Sequence, residues 1–182
     1  MILNLPTSNL IKMVPEDIED CRVLAERRAK KKENSQNTEN YQKGVDNNYL
    51  LAEDVAGTRS NLAERAVSYM LELPWNTPLY ANRYHYIYGQ VTSDVGLNIE
   101  VRTMRTNFNV PVKLNERDGL IIYGCAVSHD YEWVEVFGSI TSEEAKNPKY
   151  YVEEPGFTGY RVPIEDLTPP PPIPSWLAVV SQ

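Results

Sequence analysis

Residues 120–127, Leu-Ile-Ile-Tyr-Gly-Cys-Ala-Val, carry no charge and show no polar alternation. A short unbroken apolar run of this kind is the pattern of a central strand buried on both faces. Asp118-Gly119 reads as the tight turn leading into it. Cys125 then becomes a small core residue. Ser128-His129-Asp130 forms a turn out of the strand, and residues 131–140 alternate into another. There Trp133, Glu135 and Phe137 face one way and Val134, Val136 and Gly138 the other. Residues 141–145, Thr-Ser-Glu-Glu-Ala, have the cap chemistry of a short helix, and Pro148 ends it. A short strand over 160–163 and a turn over 164–167 follow.

Two helices precede the sheet. Pro15 opens the first, which runs to about residue 33, with Glu16, Asp17, Glu19 and Asp20 on the positive end of its dipole. Its second half, Arg27-Arg28-Ala29-Lys30-Lys31-Lys32, is either a solvated helix end or a nucleic-acid contact. The second helix covers 61–73. Leu62, Ala63, Ala66, Val67, Met70 and Leu73 form its apolar stripe, Arg65 and Glu72 face solvent, and Pro74 stops it. Glu64, at the flank of the stripe, has two readings. It is the partner of Asn61 in an N-terminal cap, or a carboxylate directed at the sheet. Residues 34–48 are polar and asparagine-rich, as a flexible loop is. Tyr84, Tyr86 and Tyr88 share a face of an extended segment, suited to half-buried sheet surface or to stacking on bases.

Residues 93–102, Ser-Asp-Val-Gly-Leu-Asn-Ile-Glu-Val-Arg, hold the most chemistry. From Ile99 the alternation puts Ile99, Val101 and Thr103 on one strand face and Glu100 and Arg102 on the other. Asp94 falls on the same even count, with Gly96 interrupting the register. Two acids and a cation on one face make a cup for a hard divalent metal and a phosphate. Mg²⁺ takes one or two carboxylates plus water and phosphate oxygens. Arg102 suits a phosphate but is a poor base.

Composition narrows the alternatives. Cys21 and Cys125 lie far apart with no paired spacing, so neither a zinc site nor a disulfide framework is expected. His85 and His129 are the only histidines, and no Gly-rich phosphate loop or nucleophile elbow occurs. No apolar run reaches a membrane span of roughly 20 residues. The start, Met-Ile-Leu-Asn-Leu-Pro, lacks a signal-peptide pattern, so a cytoplasmic location is expected. The net charge of −7 weighs against nucleic acid, yet it is unevenly placed. Residues 119–182 hold three basic and nine acidic residues, a net of −6, which leaves residues 1–118 nearly neutral. The proline run 169–172 with Pro174 is a stiff segment ending in Trp-Leu-Ala-Val-Val, which packs back on the domain or docks elsewhere.

The order of these motifs resembles the PD-(D/E)XK, or restriction-endonuclease-like, phosphodiesterase superfamily, and within it small phage-encoded proteins. Gly57…Glu64-Arg65-Ala66-Val67, then Leu-Pro-Trp-Asn at 73–76, Asp94-Val95-Gly96, Glu100-Val101-Arg102 and Gly138-Ser139-Ile140 carry the likeness, which spans roughly residues 15–167. It implies an α/β (α+β) fold with a central mixed sheet flanked by helices, an αβββαβ core. Residues 1–48 would form a basic helix and loop, 49–168 the nuclease-like core and 169–182 a proline-rich tail. It implies a Mg²⁺- or Mn²⁺-dependent nuclease acting on DNA, in the cytoplasm of an infected bacterial host. Asp94 and Glu100 would bind the metal, Arg102 would contact phosphate, and Glu64 would be a third acid. Arg27, Arg28, Lys30, Lys31, Arg105 and Lys113 would contact the DNA. Arg102 stands where the superfamily has lysine, and Ser93 rather than proline precedes Asp94. Lys113 or Arg105 would then take the lysine's place. The alternative is a catalytically degenerate fold acting as a phage accessory or virion-associated binding protein, with a partner on the proline-rich tail. A homo-oligomer is open in either case.

Overall fold

The computed structural model describes residues 7–33, 53–76, 93–104 and 108–178. The asparagine-rich 34–48 segment, the Tyr84–Tyr86–Tyr88 face with His85, and Arg105 lie outside these residues, as do the side chains of Arg28, Lys30 and Lys31. The fold is mixed α+β, with two sheets and, among the described residues, four α-helices.

The apolar run forms β4 (Ile121–Val127), and it is central as expected. It pairs antiparallel with β5 (Trp133–Thr141) and parallel with β2 (Ile99–Thr103), while β5 also pairs antiparallel with β1 (Asn9–Lys12). The four strands lie in the order β1-β5-β4-β2. Alternation along β4 divides the interior in two. Tyr123, Cys125 and Val127 join Ile99, Val101, Val134 and Val136 against two helices, α1 (Pro15–Glu33) and α2 (Glu53–Leu71). Ile122 faces the other way, toward Val110, Val112 and Val162. Those three belong to a second antiparallel sheet, β3 (Asn109–Lys113), β7 (Phe157–Pro163) and β6 (Tyr151–Glu154), ordered β3-β7-β6. Helices α1 and α2 thus cover one face of the central sheet, and the second sheet covers the other. Pro111 sits in β3, an edge strand, where its missing N–H costs the ladder least.

A β-bulge in β5 serves both cores. Gly138 pairs with Gly124 but Val136 with Cys125, so Phe137 is the extra residue. Val134 and Val136 point to the helices, as the alternation requires. After the bulge the parity reverses, and Ile140 joins Phe137 in the second core. The short helix α3 (Ser142–Ala145) follows with the anticipated cap. Thr141 Oγ1 accepts from Glu144 N, and Glu144 Oε2 accepts from Thr141 N.

Three expectations for the helices change. Helix α2 begins at Glu53, so Asn61 lies inside it, buried, and donates from Nδ2 to Cys21 O at 3.0 Å. The Asn61–Glu64 cap therefore does not exist, because eight residues of helix precede it. Leu73 falls beyond the helix end and is 39% exposed rather than part of the stripe. Arg65 is not simply solvated. Its Nε lies 2.6 Å from Asp17 Oδ1, and its guanidinium lies over Tyr69 and Trp75, tying α1 to α2.

The C-terminal tail packs back on the domain. Helix α4 (Ser175–Ala178) inserts Leu177 into the helix-side core. Trp176 donates to Glu72 Oε1 at 3.0 Å and meets Tyr69 edge-on, and Asn9 Nδ2 donates to Pro171 O. Leu177→Ala should accordingly cost about 2–4 kcal/mol of folding stability, read as a lowered urea midpoint at unchanged slope. A loss below about 0.5 kcal/mol would mean that the tail is not part of the cooperative unit.

Candidate active site

The site is built by a reversal of the chain at residues 94–100. Helix α2 ends with Glu72 in the left-handed region (φ 54°), where Leu73 N donates to Ser68 O and Glu72 N to Tyr69 O. Pro74 then directs the chain across to the 93–98 loop. Trp75 bridges to Val95, Gly96 N donates to Pro74 O at 2.9 Å, and Asn76 N donates to Asp94 O at 3.0 Å. Asn76 Nδ2 reaches both Ser93 O and Gly96 O, at 2.8 and 2.6 Å. The segment 73–76 is therefore a clamp on the loop that carries Asp94.

Gly96 adopts φ +55°, a conformation that side chains other than glycine's disfavour, and it folds the chain back on itself. Val95 N donates to Ile99 O and Ile99 N to Val95 O. The ladder stops at that bridge, because Val101 N goes to the Asp94 side chain rather than to Ser93 O, which accepts from Asn76 instead. The turn returns Asp94 to the start of β2, near enough to Glu100 for its charge to act on that carboxyl. Asp94 Oδ2 accepts from Val101 N at 2.8 Å, which fixes its carboxylate beside β2.

Ile99 and Val101 are buried on the helix side of β2, so Glu100 and Arg102 leave its opposite face. Arg102 is held by two carboxylates, with Nη1 3.1 Å from Glu100 Oε2 and Nη2 2.8 Å from Glu116 Oε2. The Glu116 side chain is only 11% exposed. It belongs to the site and was not singled out in the sequence. Its only local sign was an acid in the Asn115–Gly119 turn, and only the parallel pairing of β2 with β4 brings that turn to Arg102. Burial alone would depress the Arg102 guanidinium. The facing Glu116, Glu100 and Asp94 outweigh it and hold the group above its ordinary value. Asp94, Glu100 and Glu116 thus place three carboxylates around one cation.

Burial pushes the Glu100 carboxyl up, the charge of Asp94 adds to this, and Arg102 opposes it. A carboxyl raised in the folded state stabilises the fold fully below its unfolded value, and that contribution is lost as pH rises through the folded value. Glu100→Gln removes the titration and keeps an acceptor for Arg102. Without metal, the stability of the wild type relative to this variant should therefore fall as pH rises from the ordinary glutamate range through the raised value of Glu100. Urea denaturation across that range measures it, and a difference independent of pH would contradict the arrangement.

The remaining candidates are more scattered. Glu64 is 7% exposed and accepts from Trp75 Nε1 at 3.0 Å. It projects from α2, which covers the Ile99 and Val101 face of β2. Lys113 ends β3, exposed, and its carbonyl accepts from Glu116 N. Arg27 is exposed on α1. Both thiols are buried, with Cys21 pushed up to about 12 and Cys125 also raised by burial, so neither is a ready nucleophile near neutrality. Among the described residues no group of three or more His, Cys, Asp or Glu side chains is arranged to hold a metal. Mg²⁺ does not require one, because two carboxylates completed by water and phosphate oxygens suffice. Glu100 meets that habit, since only its Oε2 is engaged by Arg102.

No protein-family model matches the chain, and neither the curated proteins nor the solved structures give a significant match to its sequence or fold. The described residues contain no helix long and apolar enough to cross a membrane.

Proposed function

We propose that this chain is a metal-dependent phosphodiesterase acting on DNA, built on a restriction-endonuclease-like plan. The observation that carries the reading is the return of Asp94, held by Val101 N, to a place where its charge acts on Glu100 beside a half-buried Arg102. A Glu100 carboxyl whose proton affinity is raised by burial and by the charge of Asp94 forms a site better satisfied by a cation than by water. Asp94 and Glu100 would hold Mg²⁺ or Mn²⁺. When bound, such an ion lowers the pKa of an attacking water and neutralises charge on the phosphate.

The chain's own residues do the rest. Val101 N and the 73–76 clamp fix Asp94, and Arg102 orients Glu100 while adding positive charge where a phosphate would sit. Arg102 stays protonated and takes no proton from water. Lys113 and Arg105 are the basic residues proposed in place of the superfamily's lysine, Glu64 is the proposed third acid, and the basic half of α1 is proposed to meet the DNA backbone.

A second reading is favoured by one specific observation. Both amino groups of Arg102 are engaged by Glu100 and Glu116, as in a structural ion-pair network. On that reading the chain binds DNA or a protein partner without cutting. Incubation with Mg²⁺ or Mn²⁺ and duplex, nicked, branched or single-stranded DNA separates the two. Cleavage that disappears in Asp94→Asn supports the enzyme. Intact DNA with every substrate leaves the binding protein.

A further inference from the structure

A second site lies on the opposite side of β2 from Arg102. Ala56, Arg59 and Ser60 of α2 meet Thr103 at the end of β2, with Met104 and Val127, around a recess of about 50 Å³. Arg59 is fixed in place. Its Nη1 donates to Val127 O at 3.1 Å, and its guanidinium lies 5.9 Å from the Tyr131 ring centre. Its Nε is buried and makes no hydrogen bond, and it is the only such side-chain atom among the described residues. Buried donors are nearly always paired, because leaving one unmade costs most of its desolvation. A guanidinium whose Nη1 is committed still offers its Nε/Nη2 edge, the fork that fits two oxygens of an anion. Ser60 and Thr103 add hydroxyls from two different elements. Ala56, Met104 and Val127 supply low-dielectric walls that strengthen a charged hydrogen bond.

We propose that this recess binds a phosphate group. A planar carboxylate would use only the guanidinium edge. A tetrahedral phosphate presents further oxygens to the Ser60 and Thr103 hydroxyls that line the recess. The site is separate from the Asp94–Glu100 pair and does not depend on it. The phosphate comes either from a nucleic-acid backbone or as a terminal or free phosphate.

The test uses the full chain without divalent metal. Sodium phosphate is titrated against sodium chloride of matched ionic strength while the arginine Nε–H resonances are followed by NMR. The Arg59 signal is assigned by its disappearance in Arg59→Lys. A saturable phosphate-specific shift is expected in the wild type and in Asp94→Asn. Affinity should fall about tenfold in Thr103→Val and in Ser60→Ala, each of which removes one hydrogen bond to a charged group. Valine suits a strand and alanine a helix, so neither change threatens the fold. Short oligonucleotides with and without a 5′-phosphate identify the source. Weakening of both by Thr103→Val assigns a backbone phosphate, and weakening of the phosphorylated one alone a terminal phosphate. Weakening of inorganic phosphate binding with neither oligonucleotide affected assigns the free ion. No shift beyond that produced by chloride, or one equal in the wild type and the two hydroxyl variants, overturns the proposal and leaves a recess filled by water.

Discussion

Asp94→Asn should reduce metal-dependent cleavage of DNA by at least about 10³-fold, the scale seen when one well-placed electrostatic group is lost from an active site. The stability of the fold should hardly change. Asparagine keeps an oxygen to accept the 2.8 Å bond from Val101 N, so the loop stays against β2. The substitution also removes a charge that adds to the burial-driven rise of Glu100 and, in the opposite sense, one that favours Arg102, so the two effects offset each other. Loss of activity with little changed stability is the signature of a ligand. Asp94→Ala confounds the two, because the orphaned Val101 N–H costs about 1–3 kcal/mol. Cleavage assays paired with thermal denaturation of both variants separate these effects. Equal activity in the wild type and Asp94→Asn would remove Asp94 from the chemistry.

Gly138→Ala should be the most damaging single methyl group in the described fold. Gly138 has φ +146°, and an added Cβ would lie 2.2 Å from Thr168 O and 3.1 Å from Leu167 Cβ. That carbonyl cannot retreat freely, because Ser139 N donates to Thr168 O and Thr168 N to Ser139 O. Backbone strain and overpacking each cost about 1–3 kcal/mol, so a combined loss of about 3–5 kcal/mol is expected. The melting temperature should fall by roughly 10 °C or more at this chain length. Calorimetry checks it, and a shift under about 2 °C would mean that β5 and the 167–168 segment are not joined as described.

The sheet's centre was legible because burial writes itself into composition. Residues 120–127 have no polar side to turn outward, and β4 is covered on both faces. Helix α1 was legible from Pro15 and its acidic first turn. Of the second sheet only residues 160–163, inside β7, were read as a strand, because β3 is five residues long with Pro111 at its centre and β6 is largely exposed. The start of α2 was missed for a related reason. Asn61 imitates a cap, and only the carbonyl of Cys21, forty residues away, explains a buried asparagine inside a helix. Within the site, the residue types at 94, 100 and 102 were readable, but the Val95–Ile99 turn that returns Asp94 to β2 was not. Glu116 was beyond reach, since a parallel strand pairing leaves no local trace. Its place beside Arg102 also alters what the cation does in the metal-free protein, where it neutralises two carboxylates before any phosphate arrives.

Calorimetric titration of the metal-free protein with Mn²⁺ tests the central claim most directly, because it reads the Asp94–Glu100 pair without requiring a substrate. One ion per chain should bind, with affinity rising as pH increases through the elevated range of Glu100, since the metal displaces a proton there. Asp94→Asn and Glu100→Gln should each weaken binding at least tenfold and flatten that pH dependence. Binding of equal strength in the wild type and both variants, or none in the wild type at any pH, would contradict a metal site at this pair.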